Sequence, residues 1–105
     1  MACRYLLGQG FDVLARRYRG RSGEVDIIAL EGDILAFIEV KTRSTKDFGE
    51  PWEFVDWHKQ QMVRRTAEEF IGLYDLGQYS YRFDIIAVLV LKKSSVQVTL
   101  YRNAF

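Results

Sequence analysis

The chain has 105 residues, 49% of them apolar and 28% charged, which predicts one globular domain and excludes a disordered chain or a membrane-spanning helix. Its one cysteine, Cys3, excludes an internal disulfide and a cysteine zinc cluster, and without a recognisable secretion signal we expect a cytoplasmic protein with no membrane partner. The net charge is only +1, but residues 1–23 and 58–105 are basic while residues 24–57 carry nine acids and three bases, a pattern that suits a metal site within a phosphate-binding surface.

The first half of the chain predicts one short helix and three strands. Residues 4–10 read as the end of a helix, with two glycines as stop signals. A strand follows over residues 11–18, and the basic segment RRYRGRSG, residues 16–23, forms a turn. Two β-rich runs, residues 25–30 and 34–40, lie on either side of a Gly-Asp pair and predict a hairpin.

The second half predicts one long helix and two strands. A polar loop over residues 44–52 ends in GEPW, and apolar side chains at helical spacing then predict an amphipathic helix over residues 53–74. The nearly all-apolar run 82–91 predicts a central strand buried on both faces, and residues 96–102 predict the last strand. The order α-β-β-β-α-β-β indicates a single α/β domain, residues 1–105, in which helices pack against a mixed five-stranded sheet.

The hairpin places ionisable residues where a core is expected. A two-residue turn at positions 32–33, glycine first, is typical of a type II′ turn and sets the register of the two strands. In that register Asp26 lies opposite Glu39, and Glu24 lies opposite Lys41. Because side chains alternate along a strand, all four are expected on one face of the sheet.

Opposed carboxylates need compensation for their repulsion. Asp26 and Glu39 would have Cβ atoms about 4.5–5.5 Å apart, so one pKa must rise, a cation must bind, or both. Divalent Mg²⁺ prefers oxygen ligands and often binds through one or two carboxylates plus substrate phosphates. Alternatively, Lys41 and Lys59 neutralise the acids and leave a solvated hairpin end. A three-residue turn would shift the register and place the two acids on opposite faces.

Four segments carry a resemblance to a known family. They read GEVDIIA, FIEVKTR, RFDIIAV and the closing NAF, and in this order they resemble the YraN family of uncharacterised bacterial proteins along essentially the whole chain. Within them, Asp26 followed by Glu39-Val40-Lys41 resembles the D…ExK signature of the PD-(D/E)XK, or restriction-endonuclease-like, superfamily. The implied fold is nuclease-like and similar to that of archaeal Holliday-junction resolvases.

The resemblance also implies a chemistry. Asp26 and Glu39 would bind Mg²⁺ or Mn²⁺ with help from the Val40 carbonyl, and Lys41 would orient or activate the attacking water. Glu24 would position Lys41 or add an outer oxygen. The implied partner is nucleic acid, most simply DNA. The analogy with resolvases adds branched DNA as a substrate and a homodimer that cuts two strands.

One feature departs from the family pattern. Relatives carry a Glu three residues before the alanine that matches Ala2, and resolvase-like nucleases use an acid on this first helix. In this sequence that position falls before Met1. Either the first helix is truncated here or this member lacks the acid.

Several basic side chains are candidate phosphate contacts, which position a nucleic acid without reading its sequence. They are Arg16, Arg17, Arg19, Arg21, Arg43 and Lys59. The four arginines of the first strand and turn could equally form a solubilising loop, and the Lys59 stem could pack while its amine reaches solvent. Arg82 and Asp84 share a face of the buried strand, which favours a structural ion pair over a catalytic role.

Two functions of different classes follow. The first is a divalent-metal-dependent DNA endonuclease. The second is a non-catalytic nucleic-acid-binding or protein-binding module on the same fold, which the missing first-helix acid and the near-neutral net charge favour.

Overall fold

A computed structural model describes residues 1–44, 50–92 and 95–105 of the chain. It contains two α-helices, a 3₁₀ helix and five strands in the predicted order. The helices are α1 (Ala2–Gly8), the 3₁₀ helix (Pro51–Phe54) and α2 (Trp57–Leu73). The strands are β1 (Asp12–Arg19), β2 (Glu24–Glu31), β3 (Ile34–Ser44), β4 (Ser80–Val90) and β5 (Val96–Tyr101).

The strands form one mixed sheet in the order β1-β2-β3-β4-β5. Successive strands pair antiparallel except β3 and β4, which are parallel because the segment that contains α2 carries the chain back to the starting edge. The predicted mixed α/β fold is therefore confirmed. The predicted central position of the apolar strand is confirmed too, since β4 lies between β3 and β5.

Each face of the sheet carries its own hydrophobic core. On the α1 side, Leu6 and Phe11 pack with buried residues that include Ile27, Ile38 and Ile86. On the α2 side, the apolar stripe of the helix packs against β2, β3 and β4; this cluster includes Val25, Ile28, Phe37, Val63, Ala67, Phe70 and Phe83. Strand β3 feeds alternate side chains into the two cores, so any residue on it is assigned to a face by its position.

The main error in the predicted elements is the start of the long helix. Helix α2 begins at Trp57 rather than at residue 53, because the Asp56 side chain accepts a hydrogen bond from the Lys59 N–H at 2.8 Å and caps the helix. Residues 51–54 form the separate 3₁₀ helix, with the proline in its first turn. The predicted polar loop over 44–52 falls largely outside the described residues, as do positions 93 and 94 of the last turn. Within the described part of the chain, no helix combines the length and the apolar character needed to cross a membrane.

Candidate active site

The register of the predicted hairpin is confirmed at its turn end. The five pairs from Glu31–Ile34 to Ile27–Ile38 follow the predicted alignment. Gly32 has a φ of 61°, and Asp33 is not among the non-glycine residues with positive φ, which fits the type II′ turn. A two-residue turn therefore sets this hairpin, and the alternative three-residue turn is excluded.

The regular ladder between β2 and β3 ends before it reaches the acids. Beyond Ile27–Ile38, two hydrogen bonds between side chain and main chain join the strands. The Asp26 N–H donates to Glu39 Oε2 at 3.2 Å, and the Val40 N–H donates to Asp26 Oδ2 at 2.8 Å. Each carboxylate thus takes the place of a main-chain acceptor, which holds Asp26 and Glu39 together at a break in the sheet.

The break arises because β2 changes its alternation at this point. Val25 and Ile28 lie three residues apart, yet both pack into the core on the α2 side. A regular strand would send them to opposite faces, so one residue is out of phase, as at a β-bulge. Just before it, the Glu24 N–H lies 3.3 Å from Met62 Sδ, and a Cβ at Gly23 (φ 152°) would collide with the Met62 side chain. Close contact with α2 therefore holds the distorted end of β2.

Strand β1 changes phase at the same level. The pairing of β1 with β2 skips Arg17 on β1 and Asp26 on β2. Ala15 and Tyr18 are again three residues apart, yet both pack on the α2 side. Arg17 has a φ of 50°, a left-handed conformation that costs a non-glycine residue about 1–3 kcal/mol. Both neighbours of β2 thus lose regular pairing with it at Asp26.

Two predictions for the four ionisable residues, that they stand directly opposite one another and that they share one face of the sheet, are wrong. Asp26 lies on the α1 side with Ile27 and Val40, whereas Glu39 extends toward Lys59 of α2. Asp26 and Glu39 are linked through main-chain N–H groups rather than stacked as a cross-strand pair. Glu24 forms an ion pair with Arg19 of β1 at 3.3 Å instead of facing Lys41. Within the described residues Lys41 has no ion-pair partner, and alternation along β3 places it on the same side as Glu39. The cause is the loss of phase in β2.

Glu39 is buried and only partly compensated. Its side chain is 1% exposed, and Oε1 lies 3.3 Å from the Nζ of Lys59, whose side chain is 31% exposed. Burial, and secondly the charge of Asp26, raise the pKa of the Glu39 carboxyl above its ordinary value, against the opposing effects of the Asp26 N–H and Lys59. Oε1 nevertheless receives no well-directed hydrogen bond from any described residue. The amine of Lys59 therefore reaches the acid, as one of the sequence alternatives had it.

An open pocket of about 600 Å³ lies beside Asp26. It is lined by Met1, Ala2, Cys3, Arg16, Arg17, Asp26, Ile27 and Val40. The N-terminal residues of α1 thus form one wall and two arginines of β1 form another. Glu39 extends from the opposite side of β3, toward α2, so the two acids meet at the break without lining the same pocket.

The donor set fits a hard divalent cation in part. No group of three or more His, Cys, Asp or Glu side chains suited to a metal occurs among the described residues. Two linked carboxylates, one with a buried oxygen that lacks a hydrogen-bond donor, match the one or two carboxylates by which Mg²⁺ commonly binds before phosphates and water complete its shell. The residues present therefore supply only part of a shell for Mg²⁺ or Mn²⁺, and phosphates and water would have to complete it.

The remaining candidate phosphate contacts differ in how firmly they are held. Arg43 lies over the Phe54 ring at 5.0 Å and donates to the Phe54 carbonyl at 3.4 Å, so it anchors the 3₁₀ helix. The turn that carries Arg21 is fixed by Glu69 of α2, which accepts hydrogen bonds from the Arg21 N–H at 2.7 Å and from the Ser22 hydroxyl. Glu69 was missed from the sequence because its partner lies 48 residues away and helical periodicity marks it only as exposed.

A second charged cluster lies at the other end of the hairpin. Arg82 binds both oxygens of Asp84, at 2.8 and 2.9 Å, and Glu31 at 2.8 Å. Arg102 binds the two oxygens of Glu31 at 2.9 and 2.6 Å, and the Asn103 N–H donates to Asp84 at 2.9 Å. The prediction of a structural Arg82–Asp84 pair is confirmed.

Comparison with known proteins finds relatives along nearly the whole chain. The family profile described as "Uncharacterised protein family UPF0102" matches residues 1–88. A UPF0102 protein of Alkaliphilus metalliredigens is 41% identical over 101 residues, which cover 96% of this chain and 87% of the relative. One of Caldicellulosiruptor saccharolyticus is 40% identical over 105 residues, covering 99% and 89%. One of Dictyoglomus turgidum is 44% identical over 92 residues, covering 88% and 78%.

Proposed function

The chain belongs to the uncharacterised protein family UPF0102, which is the YraN family that its motifs resemble, and from its site we propose a function. The proposed function is that of a divalent-metal-dependent DNA endonuclease. One observation carries the proposal. Asp26 and Glu39 are held together at a break in the sheet, where each accepts a hydrogen bond from a main-chain N–H of the other strand, and Asp26 lines a pocket with two arginines. The resemblance of these residues to the PD-(D/E)XK signature supports the proposal by analogy, and membership of that superfamily stays a prediction.

The site suggests a division of labour among its acids. Asp26, Glu39 and the Val40 carbonyl would hold Mg²⁺ or Mn²⁺, which when bound supplies a Lewis acid for the scissile phosphate and lowers the pKa of water. Asp26 lines the open pocket, where substrate would enter, whereas Glu39 is buried and forms an ion pair with Lys59. Binding of the ion would therefore replace part of the contact between Glu39 and Lys59.

The two lysines next to Glu39 have different tasks. Lys41 has no ion-pair partner among the described residues, so its amine is available to orient or activate the attacking water. Lys59 compensates the buried carboxylate before metal and substrate arrive. Glu24 is engaged by Arg19, which leaves it a supporting role at the margin of the site.

A cleavage assay tests the endonuclease. Duplex, single-stranded and branched DNA are incubated with Mg²⁺ or Mn²⁺ and with wild type, Asp26→Asn or Asp33→Asn. The loss of one anionic ligand should lower cleavage on the order of 100-fold or more. Asp33→Asn, in the exposed hairpin turn, is the matched control and should cleave like wild type. An absence of turnover by the wild-type protein on all three substrates would refute the proposal.

The alternative is a non-catalytic module that binds nucleic acid or a protein. It is favoured by the lack of a third acid beside the pair among the described residues and by the lysine already bound to Glu39. Binding that is unchanged in Asp26→Asn and Glu39→Gln, without any metal requirement, would select this reading. Affinity that falls steeply with salt would then identify a phosphate-dominated contact, and weak salt dependence would identify a protein partner.

A further inference from the structure

Arg16 and Arg17 are brought into one pocket by a local irregularity of the backbone. Consecutive side chains of a regular strand point to opposite faces of the sheet. At Arg17 the strand adopts a left-handed conformation, with a φ of 50°, and both arginines line the pocket beside Asp26. A strained non-glycine residue inside a strand is the kind of outlier that accompanies functional sites.

These two guanidinium groups also differ from most other arginines of the chain in lacking partners. Among the described residues, Arg19 pairs with an acid, Arg43 and Arg64 lie over aromatic rings, and Arg82 shares an ion-pair cluster. Neither Arg16 nor Arg17 has an ion pair or side-chain hydrogen bond in the described part of the chain, even to Asp26. Two arginines without an ion-pair partner among the described residues thus line the same pocket as Asp26.

We propose that Arg16 and Arg17 form a phosphate clamp that binds the phosphate group acted on at Asp26, a role distinct from a general attraction of DNA by surface charge. The inference rests on the proposed endonuclease function and adds its substrate contact. A guanidinium presents a planar fork of donors that matches phosphate oxygens in bidentate fashion, and two forks around one phosphate fix its position. Arg19 pairs with Glu24 and does not line this pocket, so it lies outside the clamp.

Binding without cleavage tests the clamp. In an Asp26→Asn background with EDTA, the affinity for a fluorescently labelled single-stranded hexanucleotide is measured by anisotropy. Arg16→Gln and Arg17→Gly should each weaken binding about 10-fold, the value of a charge-assisted hydrogen bond. Arg65→Gln, which removes the same charge from an exposed position on α2, is the matched control and should stay within about twofold.

Two further readouts separate the clamp from a structural role. Arg17→Gly removes the guanidinium but relieves the left-handed strain, so its melting temperature should equal or exceed that of the parent while binding is lost. In ¹⁵N spectra of the arginine side chains, inorganic phosphate should shift the Nε–H signals of Arg16 and Arg17 before that of Arg65.

Three results would overturn the clamp: Arg17→Gly that binds like the parent, Arg65→Gln that weakens binding equally, or phosphate shifts spread evenly over the arginines. Should a variant at Arg17 fail to fold, Arg16→Gln decides, because Arg16 keeps its regular partner on β2. Failure of the function is recognised separately. If the wild-type protein cleaves no DNA but Arg16 and Arg17 still bind phosphate selectively, the endonuclease is refuted and the clamp stands. If Arg16→Gln and Arg17→Gly cleave DNA like wild type, the clamp is refuted and the endonuclease stands.

Discussion

The two ends of the β2–β3 hairpin carry similar charges in opposite states. At the turn end, Glu31 is shared by two arginines, and hydrogen bonds from Arg102 and then Arg82 lower its pKa to about 2 against the effect of burial. At the open end, burial and Asp26 raise the pKa of Glu39. The first carboxylate is stabilised as an anion by its surroundings and the second is destabilised.

The two ends differ in how completely their buried charges are paired. Buried charges that serve folding are expected to be paired and hydrogen-bonded, as Asp84 and Arg82 are. The open end instead contains a buried oxygen that receives no well-directed hydrogen bond from a described residue, a strained arginine and an interrupted ladder. Perturbed acids with unmet bonding capacity are typical of sites that bind a ligand.

The largest loss of stability is expected from disrupting the charged cluster at the turn end of the hairpin. Asp84 is fully buried and accepts hydrogen bonds from both Arg82 and the Asn103 N–H. Asp84→Ala therefore removes two hydrogen bonds from Arg82, which keeps only Glu31 among the described residues, and leaves the Asn103 N–H without its acceptor. We expect a loss of about 3–5 kcal/mol in the free energy of unfolding, measured in urea. Asp33→Ala, in the exposed turn, is the control. A loss below about 1 kcal/mol would show that the cluster is not the structural anchor of this end.

The next largest effect should be the pH dependence of the unfolding free energy that comes from Glu31 at the turn end. Because the pKa of Glu31 falls from 4.5 to about 2 on folding, its stabilising contribution is complete above pH 4.5 and is lost as the pH falls toward 2. Allowing for partial solvent exposure, this amounts to about 1–2 kcal/mol. The difference in unfolding free energy between wild type and Glu31→Gln should therefore shrink between pH 5 and pH 3. A constant difference over that interval would contradict the pairing.

At the open end, removing the cation that pairs with a carboxylate should lower the stability less, and Mn²⁺ should reverse the loss. Lys59→Met removes the cation from Glu39, and since the lysine is partly exposed we expect a loss of about 1 kcal/mol without metal. Mn²⁺ should restore more stability to Lys59→Met than to wild type, because the lysine no longer competes for Glu39. Thermal melts with and without Mn²⁺ measure this. Lys59→Arg keeps the charge and is the control; an equal Mn²⁺ response in all three proteins would argue against a shared cation site.

The sequence predicted the turn end of the hairpin far better than the open end. The Gly-Asp turn encodes the register locally, and the five pairs from Glu31–Ile34 to Ile27–Ile38 confirm it. The break at Asp26 has no such signature. It depends on contacts from β2 to Met62 and on the left-handed Arg17, which come together only in the tertiary fold.

The same reasoning explains the other errors. Asp56 was read as part of a longer periodic pattern, although its capping hydrogen bond ends that pattern at Trp57. For Lys59, the sequence favoured a packed stem with its amine in solvent over contact with the carboxylates, and only the position of α2 over β3 decides that the amine meets Glu39. The sequence therefore named the two acids that meet at the break, Asp26 and Glu39, but it did not predict their mutual geometry.

The smallest effect is expected at Glu24, where the comparison is sharpest. Its ion pair with Arg19 joins a side chain that is 34% exposed to one that is 80% exposed, and exposed pairs contribute little. Glu24→Gln should change the unfolding free energy by less than about 0.5 kcal/mol. Because Arg19 rather than Lys41 engages it, cleavage should fall less than about 10-fold, well short of the loss in Asp26→Asn. A drop as large as that of Asp26→Asn would mean that Glu24 leaves Arg19 when substrate binds and joins Lys41, which would restore the originally predicted row of four charged side chains as the catalytic arrangement.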